Sequence, residues 1–154
     1  MSIDYHLETM RISTKTRYGM RFMLDLAERY DDGCTPMKDV AERQGISKKY
    51  LEQVVAPLSG AGLLKVTRGN KGGYQLSRPP AEISLADVVA ASEDGLELLD
   101  CLGCLTVCER EDGCVSREVW GGMQGAITDY LEQRSLSDVL DAIGAHSESD
   151  SSGK

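Results

Sequence analysis

Four of the five cysteines fall within fourteen residues, Cys101-Leu-Gly-Cys104-Leu-Thr-Val-Cys108-Glu-Arg-Glu-Asp-Gly-Cys114. Thiolates are soft ligands that suit an iron-sulfur cluster or zinc, and a turn-rich stretch with gaps of two, three and five residues lets several sulfurs converge on one centre. These gaps lack the paired two-residue spacing of zinc ribbons and reverse the three-then-two order of radical-forming cluster sites. Metal ligation by Cys101, Cys104, Cys108 and Cys114 is the chemistry this stretch carries, whereas Cys34, alone in a loop, reads as an unligated thiol. The only histidines, His6 and His146, lie near the two ends, and no nucleophile and base are paired along the chain, so the residues do not describe an enzyme or a small-molecule substrate site.

A second set of polar residues sits on a predicted helix, Ser-Lys-Lys-Tyr-Leu-Glu-Gln-Val-Val-Ala-Pro-Leu at 47 to 58. Leu51, Val54, Val55 and Leu58 share one side by their i, i+3, i+4, i+7 spacing, which turns Lys48, Lys49, Glu52 and Gln53 to the other. One side packs while the other can read a partner. Ser47 caps this helix, Gly45-Ile46 makes a tight entry, and residues 36 to 43 form a shorter helix opened by Thr35-Pro36. Helix, short glycine-containing turn and helix outline a DNA-reading motif.

The remaining elements frame these two sets. Ile12-Ser13-Thr14 starts a core helix on which Phe22, Met23, Leu26, Ala27 and Tyr30 keep helical spacing, ended by Asp31-Asp32-Gly33-Cys34. Pro57 lacks an N–H to bond back to Gln53, which predicts a kink or lost regularity there, with Gly60 and Gly62 closing the helix. After Gly62 the period becomes alternating: Leu63 to Thr67 and Tyr74 to Ser77 flank Arg68-Gly-Asn-Lys71-Gly-Gly, a hairpin with a basic, glycine-rich tip. Such a wing approaches phosphates closely, with Arg68 and Lys71 supplying charge; the spacing of a nucleotide-binding loop is absent. Ser84-Leu-Ala-Asp87 resembles a capping box opening a helix to about Ser92. From Val115 to Gln133, the apolar residues Val119, Trp120, Met123, Ile127, Tyr130 and Leu131 make a stripe suited to pairing with a second copy, although Gly121, Gly122 and Gly125 weaken its helicity. Ser135-Leu-Ser-Asp138 starts a last short helix to about Ile143, followed by a Ser-rich polar tail expected to be disordered.

Charge divides along the chain as the elements do. The net charge is -8, yet residues 10 to 79 carry 13 Lys/Arg against 7 Asp/Glu, while residues 80 to 154 carry 4 against 16. A basic front half suits phosphate contacts, and an acidic back half is kept off a duplex. No apolar run approaches the roughly 20 residues of a membrane span, and residues 1 to 9 lack the basic start and apolar core of a signal peptide, so a cytoplasmic protein with no membrane partner is expected.

Ser13-Thr-Lys-Thr-Arg-Tyr-Gly-Met-Arg21, Ala41-Glu-Arg-Gln-Gly-Ile-Ser47, Tyr50-Leu-Glu-Gln53, Arg68-Gly-Asn-Lys-Gly-Gly-Tyr74 and the later cysteines resemble the Rrf-two family of bacterial winged-helix regulators, within it the iron-sulfur cluster regulator (IscR-like) branch. The resemblance covers about residues 10 to 140 and implies a mainly α fold with a small β-hairpin. It divides the chain into an extension (1–9), a winged helix-turn-helix domain (10–80), a connecting helix and linker (81–100), a cluster-binding loop (101–114), a dimerisation helix with a C-terminal helix (115–144) and a tail (145–154). It further implies a homodimeric transcriptional regulator, with repression the expected mode, on a double-stranded operator. Ser47, Tyr50, Glu52, Gln53 and Arg68 match family DNA-contacting positions, with Lys48, Lys49 and Lys71 beside them; at Lys49 the relatives often carry a small polar residue.

Cys101, Cys108 and Cys114 match the family's three cysteine ligands with one extra residue in the first gap, but the family's histidine position holds Arg117, which cannot ligate. Cys104 is the nearest candidate for the fourth ligand, ahead of His6 or a carboxylate. An iron-sulfur cluster, 2Fe-2S in preference to 4Fe-4S, is the implied cofactor, and zinc the alternative. The competing readings are a zinc-stabilised or cluster-free winged-helix regulator and an interaction protein that does not bind DNA.

Overall fold

In the computed structural model, Ser13 opens the first helix, α1 (Thr14–Glu28), by accepting a hydrogen bond from the Thr16 amide at 3.1 Å. The structure describes residues 12–93, 96–99, 102 and 113–150, with side chains as far as 145. Residues 1–9, Cys101, Cys104, Cys108, His6 and the last four residues lie outside these. The described elements follow in the order α2 (Met37–Gln44), α3 (Lys48–Gly60), β1 (Leu64–Thr67), β2 (Gly73–Leu76), α4 (Leu85–Ser92), α5 (Val115–Glu132) and α6 (Leu136–Asp150).

The helical spacing seen in the sequence is the spacing that is buried. Phe22, Met23, Leu26 and Ala27 of α1 meet Val40 of α2 and Leu51, Val54, Val55 and Leu58 of α3 in one core, completed by Leu76, Ile83 and Val88. Removing this apolar surface from water is the main force holding three short helices together, none of which is long enough to persist alone. Tyr30 does not join the α1 stripe: the helix ends at Glu28, a 3-10 turn follows, and the tyrosine is exposed. α3 stays helical through Pro57 to Gly60, because the proline removes one hydrogen bond while Leu58 beside it is fully buried.

β1 and β2 pair antiparallel with Leu64 opposite Leu76 and Thr67 opposite Gly73. Thr35 adds a single antiparallel bridge to β2: its amide donates to the Tyr74 carbonyl (2.9 Å) and its carbonyl accepts from the Tyr74 amide (2.8 Å). Gly73 is required there, since a Cβ would collide with the Thr35 carbonyl. The wing is thereby tied to the residue that precedes α2.

α4 opens on the capping box expected from Ser84 and Asp87, each side chain bonded to the other's amide at 3.0 Å. Ser135 and Asp138 repeat the device at the start of α6. α6 then runs to Asp150, past Ile143 and through residues read from the sequence as polar tail. Its first turn is stitched into the winged domain: Leu136 is fully buried, its amide donates to the Ile83 carbonyl (3.0 Å), and the Leu85 amide donates to the Arg134 carbonyl (2.8 Å). α5 packs along α4 but buries none of its residues completely.

Candidate nucleic-acid interface and thiol segment

Gly45 takes the left-handed conformation (φ 63°) that ends α2 and turns the chain into α3, a geometry that suits glycine. Ile46 is buried beneath the turn, and the Ser47 hydroxyl caps α3 by accepting from the Tyr50 amide at 3.2 Å. With Leu51, Val54, Val55 and Leu58 turned inward, Ser47, Lys48, Lys49, Glu52 and Gln53 all face solvent. The structure therefore gathers the sequence-predicted reading residues of α3 on one exposed face. Lys48 Nζ lies 3.9 Å from Glu52 Oε1, an exposed i,i+4 pair of little energetic weight that can open when either partner finds another.

Tyr50 differs from its neighbours in being half-buried. Its ring meets the Tyr18 ring edge-on (5.7 Å, 83°), and the Arg21 guanidinium lies 5.3 Å over the Tyr18 ring. Arg21 also donates through Nε to Gln44 Oε1 (2.9 Å) and through Nη2 to the Gln44 carbonyl (3.0 Å) at the end of α2. Gln44 in turn donates from Nε2 to Asp25 at 3.2 Å, and Arg43 grips the same carboxylate with both Nε (3.0 Å) and Nη2 (2.6 Å). Burial by itself would raise the Asp25 pKa, but the hydrogen bonds from Arg43 and Gln44 and the charges of Arg43 and Arg29 hold it below the ordinary aspartate value. This network fastens the end of α2, just before the turn into α3, to α1. Sequence reasoning missed it; the available signal was a carboxylate, Asp25, set among the apolar positions of α1.

On the hairpin, Arg68 and Lys71 are exposed at the tip, where Gly69 has φ 111° and a Cβ on Gly72 would collide with the Thr67 carbonyl. The tip is thus a tight turn with two cations projecting from it. Exposed cations there and on α3, with a glutamine and a carboxylate between, can hold phosphates and read base edges.

Of the four clustered cysteines, Cys101, Cys104 and Cys108 lie outside the described residues. Cys114 stands immediately before α5, its sulfur 3.2 Å from the Ser116 hydroxyl. That hydroxyl, the amides of Arg117 and Ser116 and the Arg117 charge draw its pKa below the usual thiol value. The same surroundings ease loss of the proton, and a soft sulfur donor beside a cysteine-rich stretch has the chemistry that a thiolate-held centre requires. Among the described residues no three His, Cys, Asp or Glu side chains gather around one point, and Cys34 sits apart in the turn before Thr35.

A helix-turn-helix whose second helix exposes polar residues, followed by a hairpin with a cationic tip, defines a winged-helix DNA-binding regulator. The chain belongs to the Rrf2 family, described as iron-dependent transcriptional regulators, which it matches over residues 12–142. It is 36% identical to the HTH-type transcriptional regulator IscR of Photorhabdus laumondii, over 85% of this chain and 79% of that protein. Among solved structures it resembles CymR, the global cysteine regulator of Bacillus subtilis (TM-score 0.75, 34% identity, 87% of this chain and 98% of that one). It also resembles IscR of T. potens (TM-score 0.71, 36% identity, 87% and 88%). Its function is accordingly transcriptional regulation through DNA rather than catalysis. None of the described helices is long and apolar enough to cross a membrane.

Proposed function

We propose that the chain acts in the cytoplasm as a homodimeric repressor on a two-fold-symmetric operator, and that an iron-sulfur cluster held by Cys101, Cys104, Cys108 and Cys114 sets its affinity for that DNA. The observation that carries the DNA reading is the contrast on α3 between four buried aliphatic side chains and the exposed Lys48, Lys49, Glu52 and Gln53. In this reading α3 enters a major groove, Gln53 pairs with an adenine edge and Glu52 accepts from a cytosine amino group. Ser47 and Tyr50 bond phosphates, while Lys48, Lys49, Arg68 and Lys71 neutralise the backbone on either side.

The pairing of two copies rests on α5, where Val115 (84% exposed), Val119 (63%), Trp120 (43%), Met123 and Tyr130 are uncovered in the single chain. An apolar stripe of this length on a soluble protein is more stable covered. The cluster reading rests on the thiolate-favouring surroundings of Cys114, on the three cysteines that precede it, and on the iron dependence ascribed to the family. When bound, the cluster supplies an iron- and redox-responsive link among these thiolates, 2Fe-2S in preference to 4Fe-4S, at a lower potential than ligation that includes histidine. Ser116 and the amide of Arg117 ease the deprotonation that ligation by Cys114 would require. Arg117 itself offers no ligating atom, and we take Cys104 as the nearest candidate for the fourth donor, ahead of His6 or a carboxylate.

Two measurements test this. Anaerobic purification is expected to yield a coloured protein containing iron and acid-labile sulfide; a colourless protein with one zinc per chain would remove the cluster and favour a zinc-stabilised regulator. Binding to DNA from upstream of its own gene is expected to weaken steeply with salt, and Arg68→Ala to weaken it further and reduce the salt slope by about 1. Salt-insensitive binding that Arg68→Ala leaves unchanged would instead point to an interaction protein.

A further inference from the structure

The chain entering the cysteine stretch is held by two side chains whose hydrogen bonds serve no cap or turn of their own. Glu93, the residue after α4, accepts from the Ser13 amide (2.9 Å) and from the Thr16 hydroxyl (2.6 Å) at the start of α1. Burial would raise the pKa of this carboxylate, but these hydrogen bonds and the Lys15 charge lower it, so the contact is made by the ionised form. Three residues on, the backbone is held from a different element. Gln124, midway along α5, donates from Nε2 to the Leu96 carbonyl (2.7 Å) and accepts at Oε1 from the Leu98 amide (2.6 Å). Nε2 also donates to the Thr128 hydroxyl one turn later at 3.1 Å. A carbonyl needs a donor and an amide an acceptor, so the orientation of the Gln124 side chain is dictated by the backbone it holds.

Covalent geometry turns these contacts into a constraint. Three residues span at most roughly 10 Å of extended chain, so Leu96 cannot move far from Glu93. At the other end, Cys114 leads directly into α5, and nine helical residues, at about 1.5 Å of rise each, lie between it and Gln124. Leu96 and Leu98, which precede the cysteines in the chain, and Cys114, the last of them, therefore all lie at α5, the first two held there by the Gln124 side chain. Gly121, Gly122 and Gly125 lower the intrinsic helicity of α5 around Gln124, which gives a pull on that side chain the most purchase.

We infer that Gln124 is the positioning residue that couples the cysteine stretch to the winged domain: it fastens Leu96 and Leu98 to α5, and Glu93 fastens the same strand of chain to the start of α1. Drawing the thiols together loads the Gln124 contact, and the displacement reaches α1, against which α3 is packed. This inference rests on the proposed control of DNA binding by thiol ligation, and its test keeps the two apart.

Gln124→Met removes both backbone hydrogen bonds at similar volume, and Gln124→Glu retains an acceptor for the Leu98 amide but cannot donate to the Leu96 carbonyl. In metal-free full-length protein, hydrogen exchange at the Leu98 amide is expected to accelerate at least about tenfold in Gln124→Met and less in Gln124→Glu, with the thermal midpoint unchanged within a few degrees. Unchanged exchange overturns the inference. Wild type and Gln124→Met, each reconstituted with iron and sulfide to equal iron content or left metal-free, are then titrated with the upstream DNA fragment. The ratio of the two dissociation constants is expected to fall to within about twofold of unity in Gln124→Met while the metal-free affinity is kept. An undiminished ratio in the variant overturns the coupling and leaves the proposed function standing. A wild-type ratio of one overturns cluster control itself, and the coupling with it.

Discussion

Asp25 is the carboxylate that ties the end of α2, and so the entry to α3, to α1. It is 5% exposed, yet charged, because Arg43 meets both its oxygens and Gln44 one of them. Asp25→Asn leaves the Arg43 fork half-met in a partly buried site and is expected to lower stability by about 2 kcal/mol, read by chemical denaturation. Its pH dependence has a definite sign. The folded pKa lies below the ordinary value of 3.8, so the unfolded state binds the proton more readily. The stabilisation is complete above 3.8 and is lost as pH falls through the folded pKa. Stability of the wild type is expected to drop on acidification below about pH 4 more steeply than that of Asp25→Asn. Glu52 is the opposite case. Its pair with Lys48 is exposed and long, so the carboxylate is weakly held and can exchange partners, as the proposed contact with a base edge requires.

Among elements, the wing and the reading helix show how context decides what a glycine does. Gly73 packs against the Thr35 carbonyl, and Gly73→Ala is expected to cost roughly 1–3 kcal/mol and to weaken DNA binding by loosening the hairpin. Gly60, in the last turn of α3, has nothing within 4 Å of its missing Cβ and a helical φ, so Gly60→Ala is expected to stabilise by roughly 0.5–1 kcal/mol. Thermal denaturation of the two variants should move in opposite directions. The caps behaved as local rules predict: Ser13, Ser47, Ser84 and Ser135 each accept from an amide of the first turn. The ends of α3 and α6 were less legible, because burial of Leu58 carries one past a proline and helical hydrogen bonding carries the other into a polar sequence.

At the scale of the molecule, the basic front half holds the exposed polar face of α3 and the acidic back half holds α5 and α6. If α5 pairs two copies, Trp120→Glu places a charge in the covered stripe and is expected to weaken the dimer at least about thirtyfold, measured by sedimentation. Operator affinity should fall with it; a dimer unaffected by the change would send the interface elsewhere. The sequence alone settled what periodicity and local chemistry control: which faces of α1 and α3 are apolar, where four caps lie, where the hairpin turns, and that four thiols are crowded together. Those features depend on residues a few positions apart, so spacing reveals them. What only the tertiary structure decided depends on residues far apart in the chain. It locks Asp25 to Arg43 and Gln44, sets Tyr50 on Tyr18, adds Thr35 to the wing, drives Leu136 into the winged-domain core and lets Gln124 hold Leu96 and Leu98. No pattern along the chain marks such pairs, because each is chosen by the packing of whole helices, which brings together side chains that sequence distance keeps apart.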